Sequence, residues 1–446
     1  MSTDARTRPS APASGIRLGE RLRQLRVAAG MTQSELAGDR FSKEYVSQIE
    51  RGKTRPTRET IEWLAARLGV DGGFLANGVS TDERGRLEAQ LARAEALLQA
   101  EQNDEAAEEF QSLIEPARVT GLPELEARAL LGAAKTQIRM GALHPAVQLL
   151  TRARNLVEGP AFSDVERAEV LMALGVCRYQ LGSMQTALGL LNEALSLAER
   201  SGMPCDSLRS QVLSWRARCW RRMRDLEAAR EDVERALELA EGVNDPRTLG
   251  AAYFQASIIA DREGHWILAR SYAERARAIY EQLSDRVSVG KLTNNLGGLN
   301  FLLGKPDEAI ALLKDAFRIA LDTGHQDDAA QAVGSLAQVH LETGNYTVAE
   351  EQARHAISLL EGREDFLDVL GMAQLSLGRA LLEQQRFEES EEALRAAEAT
   401  FELLGSPSHR AAAWVARGDL AARRGDDKNA ARLYRVAAET LQDVRF

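Results

Sequence analysis

The chain has 446 residues, 44% hydrophobic and 27% charged, which suits a folded protein of more than one ordinary domain and excludes wholesale disorder. Aromatics at 5% and only 11 prolines, among abundant Ala and Leu, point to an all-α chain. No run approaches the ~20 apolar residues of a membrane span, and three cysteines (Cys177, Cys205, Cys219) cannot make a disulfide framework.

The net charge of −10 is unevenly placed. Residues 16–78 hold 11 Lys/Arg against 8 Asp/Glu, whereas residues 79–446 carry −14. Only the small front unit is suited to facing a polyanion. Residues 1–15 contain Asp4, Arg6 and Arg8 and no apolar core, so they read as a disordered arm and not as a secretory signal. With thiols unpaired and no signal, the expected compartment is the cytoplasm.

The front unit spans residues 16–78. Residues 18–29 place Leu18, Leu22, Leu25 and Ala29 on one helical side, and Gly30 closes that helix. Thr32-Gln33-Ser34-Glu35 is a capping box that opens a short helix through Ala37. A tight turn follows, then Ser42 caps a second short helix, KEYVSQIER, ended by Gly52. Thr57 opens a fourth helix, and a short segment around Phe74-Leu75 completes the unit. Two short helices joined by a tight turn among packed neighbours form a helix-turn-helix arrangement.

From residue 84 onward the chain repeats. A turn residue recurs at Gly141, Gly182, Arg224, Gly264, Gly304, Gly344, Gln385 and Gly425, at spacings of 40 to 42. Twelve residues past each turn stands alanine: Ala153, Ala194, Ala236, Ala276, Ala316, Ala356, Ala397 and Ala437. Seven before each turn the residue is Ala, Gly or Ser, and five past it is Ala or Ser. Small residues at fixed offsets mark where two antiparallel helices approach closely. A weaker copy surrounds Gln102. The array therefore comprises about nine helix pairs over residues 84–446.

These repeats resemble the tetratricopeptide repeat (TPR) in their order of small residues and in the aromatic two past the turn (Trp266, Tyr346, Phe387). A period near 40 exceeds the usual 34 and implies longer helices or longer connections. The resemblance implies a right-handed α-solenoid whose first helices line a concave binding face. Breakers at Gly159-Pro160, Gly202-Met203-Pro204, Asn244-Asp245-Pro246 and Ser406-Pro407 sit where connections fall.

The front unit resembles the Xre/Cro family of DNA-binding domains. The residues that carry the likeness are Arg26, the run from Gly30 to Ala37, the run from Tyr45 to Gly52, Lys53, Pro56 and the ending Leu68-Gly69-Val70. Its turn, Gly38 to Phe41, is one residue shorter than the family's. The likeness implies that Gln33 contacts phosphate and that Ser42 starts the recognition helix. Lys43, Glu44 and Gln48 then reach base edges: lysine to guanine, glutamine to adenine, and glutamate to cytosine or against wrong bases. Ser47, Lys53 and Arg55, with Arg58 beyond, would hold phosphates, and Arg26 and Glu50 form a structural pair. One such module reads three or four bases, too few to find a site in a genome at ~1–3 kcal/mol each. A homodimer on a palindromic operator of double-stranded DNA is the expected solution, with the repeat array of residues 84–446 as both sensor and dimerising mass.

In the repeat frame, the first helices present Ser214, Trp215, Arg218, Arg221 and Arg222, then Phe254, Gln255 and Asp261. Lys291, Asn294 and Asn295 follow, then Gln338 and Arg379. Asparagine and glutamine can clamp a peptide backbone, and arginine or lysine can hold a carboxylate. Alternatively Arg221 and Arg222 pair with Glu227 or Glu231. Asn294-Asn295 stands out because asparagine is a poor helix former. The whole architecture resembles the RRNPP group of peptide-responsive bacterial regulators. That likeness implies a peptide in the groove that controls operator binding. A protein or small molecule is an alternative occupant, and a protein-interaction scaffold or sequestering adaptor is the alternative function.

An enzyme is not expected. The chain has no G-x-x-x-x-G-K-[ST], no H-E-x-x-H and no C-x-x-C, and its six histidines are dispersed. No cofactor or metal is expected, and Cys177 and Cys219 fall at one frame position that reads as core.

Overall fold

The computed structural model describes residues 14–78, 80–363 and 366–442, which hold 23 helices and no strand. The predicted arm lies outside the described residues except for Ser14 and Gly15, which open the first helix. No described helix is long and apolar enough to cross a membrane. The chain divides into two compact units, residues 1–201 and 202–446.

The first unit begins with five short helices: α1 (Ser14–Ala28), α2 (Gln33–Ala37), α3 (Lys43–Glu50), α4 (Arg58–Leu68) and α5 (Gly72–Asn77). The caps legible in sequence form. Thr32 accepts from the backbone N–H of Glu35 while the Glu35 carboxylate accepts from that of Thr32. Ser42 accepts from Tyr45 N–H and Thr57 from Thr60 N–H. Leu22, Leu36, Val46, Ile49, Leu64 and Leu75 fill one core. Gly19 permits the tight crossing of α1 on α3, since a Cβ there would lie 2.3 Å from the carbonyl oxygen of Ile49. The Arg21 guanidinium donates to the carbonyls of Leu75 and Ala76, satisfying the end of α5.

Three helix pairs complete this unit, from α6 (Thr81–Gln99) and α7 (Asn103–Val119) to α10 (Asp164–Gln180) and α11 (Met184–Arg200), with α8 (Pro123–Arg139) and α9 (Leu143–Val157) between them. Asp71 joins the front domain to α6. Its carboxylate caps α5 through Phe74 N–H (2.9 Å) and also accepts from Thr81 N–H (3.0 Å).

The second unit holds six pairs, opening with α12 (Asp206–Arg222) and α13 (Leu226–Glu241). Next come α14 (Pro246–Arg262) with α15 (Trp266–Gln282), α16 (Arg286–Leu302) with α17 (Pro306–Asp322), and α18 (Gln326–Glu342) with α19 (Tyr346–Leu359). The unit closes with α20 (Leu367–Glu383) and α21 (Phe387–Leu403), then α22 (Pro407–Arg423) and α23 (Asp427–Gln442). Across both units the long period comes from helix length. Most helices have 17 residues, and several connections between pairs are only three residues, as at 283–285.

The small-residue frame is the seam of each pair. All eight alanines twelve past the turn are buried. Where the first helix offers glycine, a large side chain fills the space. Added Cβ atoms at Gly175, Gly297, Gly378 and Gly418 would come within 2.9 Å of Leu191, Leu313, Leu394 and Tyr434. The turn residues have positive φ, including the non-glycines Arg224 (64°) and Gln385 (62°).

Candidate functional site

The front domain presents α3 as its exposed helix. Val46 and Ile49 are buried beneath it, and Lys43, Glu44 and Gln48 are exposed on its outer side with Ser47 half-buried between them. Lys43 and Glu44 form no hydrogen bond or ion pair among the described residues, so their full donor and acceptor capacity faces outward. Gln48 accepts from Thr54 Oγ1 at 3.0 Å through its Oε1, which leaves its amino group. The hydroxyl of Ser42 is occupied as the helix cap, 3.1 Å from Tyr45 N. Lys53 and Arg55 are exposed on the strap that follows α3.

Beneath this face Glu50 is a hub. Its carboxylate accepts from Arg26 Nε (2.6 Å) and Nη2 (3.2 Å), and from Gln33 Nε2 (2.7 Å). Arg26 also donates to the carbonyl of Met31 at 2.8 Å. The pair is well shielded, with side-chain exposures of 12% and 4%, and the bonded carboxylate raises the Arg26 pKa. Gln33 thus spends one of its two amino N–H donors inside the domain. A phosphate arriving there meets the start of α2 and the second N–H of the Gln33 amide.

The second unit contains a recess of about 320 Å³ between α12, α14, α16 and α18. Arg221, Asp261, Arg262, Asn294, Asn295 and Ser335 are among its walls. The Oδ1 of Asn294 is buried and has no hydrogen-bond partner among the described residues. Burial pushes the Asp261 carboxyl pKa up, against the pull of neighbouring Arg262. Arg224 Nη2 donates to Ser408 Oγ at 3.1 Å, so the turn of the unit's first pair touches the start of α22.

Other groove candidates fall elsewhere. The Arg218 guanidinium lies 4.1 Å from the ring centre of Trp215. Lys291 sits 3.6 Å from Asp328 of the next pair, Gln255 is buried with 3% exposure, and Gln338 and Arg222 are exposed. Arg216 and Asp232 form an ion pair between α12 and α13, 2.7 Å at Nε. Cys177 and Cys219 are buried, and desolvation lifts both thiols to about 11, which makes them poor nucleophiles.

Residues 17–77 match the helix-turn-helix domain family, and residues 288–362 and 375–443 match tetratricopeptide repeat families. The chain carries a helix-turn-helix domain followed by tetratricopeptide repeats. Over 65 residues it is 40% identical to the HTH-type transcriptional regulator DdrOP3 of Deinococcus deserti, a match that covers 14% of this chain and 50% of that protein. It is 26% identical over 159 residues to the regulatory protein AfsR of Streptomyces griseus, covering 35% of this chain and 16% of AfsR. The chain therefore spans half the length of one relative and less than a fifth of the other. The apo form of the quorum sensor NprR from B. thuringiensis shares the fold, with a TM-score of 0.58 at 14% identity, over 80% of this chain and 99% of that one.

Of the groove residues singled out in sequence for this TPR array, Arg221, Asp261, Asn294 and Asn295 line the recess. Ser335 and Arg262 were missed. Each shares a frame position with a chosen residue, Ser335 with Asn295 and Arg262 with Arg222, so the period itself was the signal. In the helix-turn-helix domain the missed residues were Gly19 and Arg21, which hold α3 and α5 in place.

Proposed function

We propose that the protein is a sequence-specific, DNA-binding transcription regulator. It acts in the cytoplasm as a homodimer, and its repeat array senses a short peptide that controls operator binding. The α3 face reads bases through Lys43, Glu44 and Gln48, while Ser47, Lys53 and Arg55 take phosphates with the start of α2 at Gln33. Two such faces read half-sites about one helical turn (~34 Å) apart. A peptide that favours one arrangement of the protein ~100-fold shifts the equilibrium by ~2.7 kcal/mol, enough to change operator occupancy.

The sensing role rests on one observation, the buried and unpartnered Oδ1 of Asn294 in the wall of the recess. Buried acceptors are normally satisfied. A peptide N–H satisfies this one, Asn295 supplies a second amide, and Arg262, which makes no ion pair among the described residues, receives a carboxylate. Selection from a random heptapeptide library with free C-termini tests this reading. The wild-type protein is expected to enrich a family of sequences that Asn294→Ala/Asn295→Ala does not hold. Equal retention by both proteins would place the ligand elsewhere.

A further inference from the structure

The repeat frame breaks its own pattern once on the outside of the second unit. The two positions that follow the first residue of the other second helices carry Asp104-Glu105, His144-Pro145, Gln185-Thr186, Glu227-Ala228, Asp307-Glu308, Thr347-Val348, Glu388-Glu389 and Lys428-Asn429. In α15 they carry Ile267 and Leu268. Eight repeats thus place at least one polar or small residue where one places two large aliphatic side chains. The structure leaves them in the open: Ile267 is 78% exposed, Leu268 45% and the adjoining Trp266 39%. Leu303, from the neighbouring pair, continues the surface. Isolated exposed aliphatics are ordinary, but a contiguous apolar cluster that includes a tryptophan marks a contact surface.

We propose that the Trp266–Ile267–Leu268 surface is where two copies of this chain meet. The distribution of charge favours a second copy as the occupant. The patch contains no Lys, Arg, Asp or Glu, although residues 79–446 carry −14. Two bodies of like charge repel wherever their acidic faces meet, so an uncharged window is where they can approach. A two-fold interface sets the same patch against itself, and an apolar surface is self-complementary whereas a charged one is not. The proposal also supplies the pairing that two-module operator reading requires, and in that respect it rests on the function proposed above. Trp266 provides the large rigid anchor typical of an interface centre, with Ile267 and Leu268 excluding water around it.

Sedimentation equilibrium of the full-length protein tests this. The wild type is expected to be a dimer at micromolar concentration. Ile267→Glu/Leu268→Glu, which places two charges per copy in the patch, is expected to weaken the dimer at least ~100-fold while far-UV circular dichroism is unchanged. Ile267→Ser, milder and at a site already exposed, is expected to weaken it ~10-fold and guards against misfolding of the double variant. A wild-type dimer whose dissociation constant is unmoved by either variant overturns the proposed surface and leaves the proposed regulator standing. A wild type that is monomeric at 100 μM overturns both the surface and the two-fold reading of DNA.

Discussion

Glu50→Ala is the sharpest test of how the DNA-reading helix is held. The substitution removes the acceptor of three hydrogen bonds at once, two from Arg26 and one from Gln33. It leaves a guanidinium of 12% side-chain exposure with only the Met31 carbonyl as a partner. Breaking one side of a buried ion pair costs about 3–5 kcal/mol. The surviving Met31 bond places this case at the lower end, about 3 kcal/mol, or a factor of about 140 in the opening equilibrium. Hydrogen exchange by mass spectrometry on the full chain reads this locally. Amides of α1 and α3 should exchange about 100-fold faster, while those of α20 and α21 stay as in the wild type. Gln33→Ala, which removes one half-exposed bond to the same carboxylate, should speed exchange only about 5-fold. Arg26→Met with Glu50→Leu removes both charges and should restore protection to within about 1 kcal/mol of the wild type. A change of less than about 3-fold in the Glu50→Ala protein would refute the role of this hub, as would a double variant as loose as the single one.

Four further outcomes are expected. Lys43→Ala should flatten preference at one base position by about 1–3 kcal/mol while weak, salt-sensitive binding persists, measured by competition with mismatched duplexes. Gly378→Ala puts a Cβ 2.5 Å from Leu394 Cδ2 and 3.2 Å from its backbone nitrogen, and should destabilise the second unit by about 1–3 kcal/mol in urea unfolding. Gln385→Gly relieves a positive φ of 62° and should stabilise the same unit by about 0.5–1 kcal/mol; a loss of stability would show that the side chain has a role of its own. Asp261 has a raised folded-state pKa through burial, so the folded protein holds this proton more tightly than the unfolded chain. Its contribution to stability therefore falls as pH rises through and above the usual carboxylate range. Asp261→Asn should remove that part of the slope and raise the unfolding midpoint at neutral pH, and an unchanged pH profile would contradict the assignment.

Local chemistry was legible in sequence where it is short-range. Thr32, Ser42 and Thr57 cap helices because a hydroxyl and an N–H three residues on suffice. The Ala and Gly frame revealed the helix pairs because the seam repeats. What escaped depends on contacts between distant segments. Lys291 stands 3.6 Å from Asp328 of the next pair, a neighbour 37 residues away that local sequence does not announce. Gln33 showed no partner in sequence, yet Glu50, seventeen residues on, accepts one of its two amide N–H donors. Trp266 counted as one more repeat aromatic, and only the folded surface shows it beside Ile267 in the open. Arg224 broke the glycine pattern without an evident reason, and its reach to Ser408 spans 184 residues.

The central claim is that two copies of the helix-turn-helix domain read a two-fold DNA site. Iterative selection of random-sequence duplexes by the full-length protein, at near-physiological salt and with bound peptide removed or supplied, tests it most directly. The account predicts an enriched palindrome with half-site centres about one helical turn apart. Failure to enrich any sequence under either condition, with the residues 1–78 fragment equally indiscriminate, would contradict it.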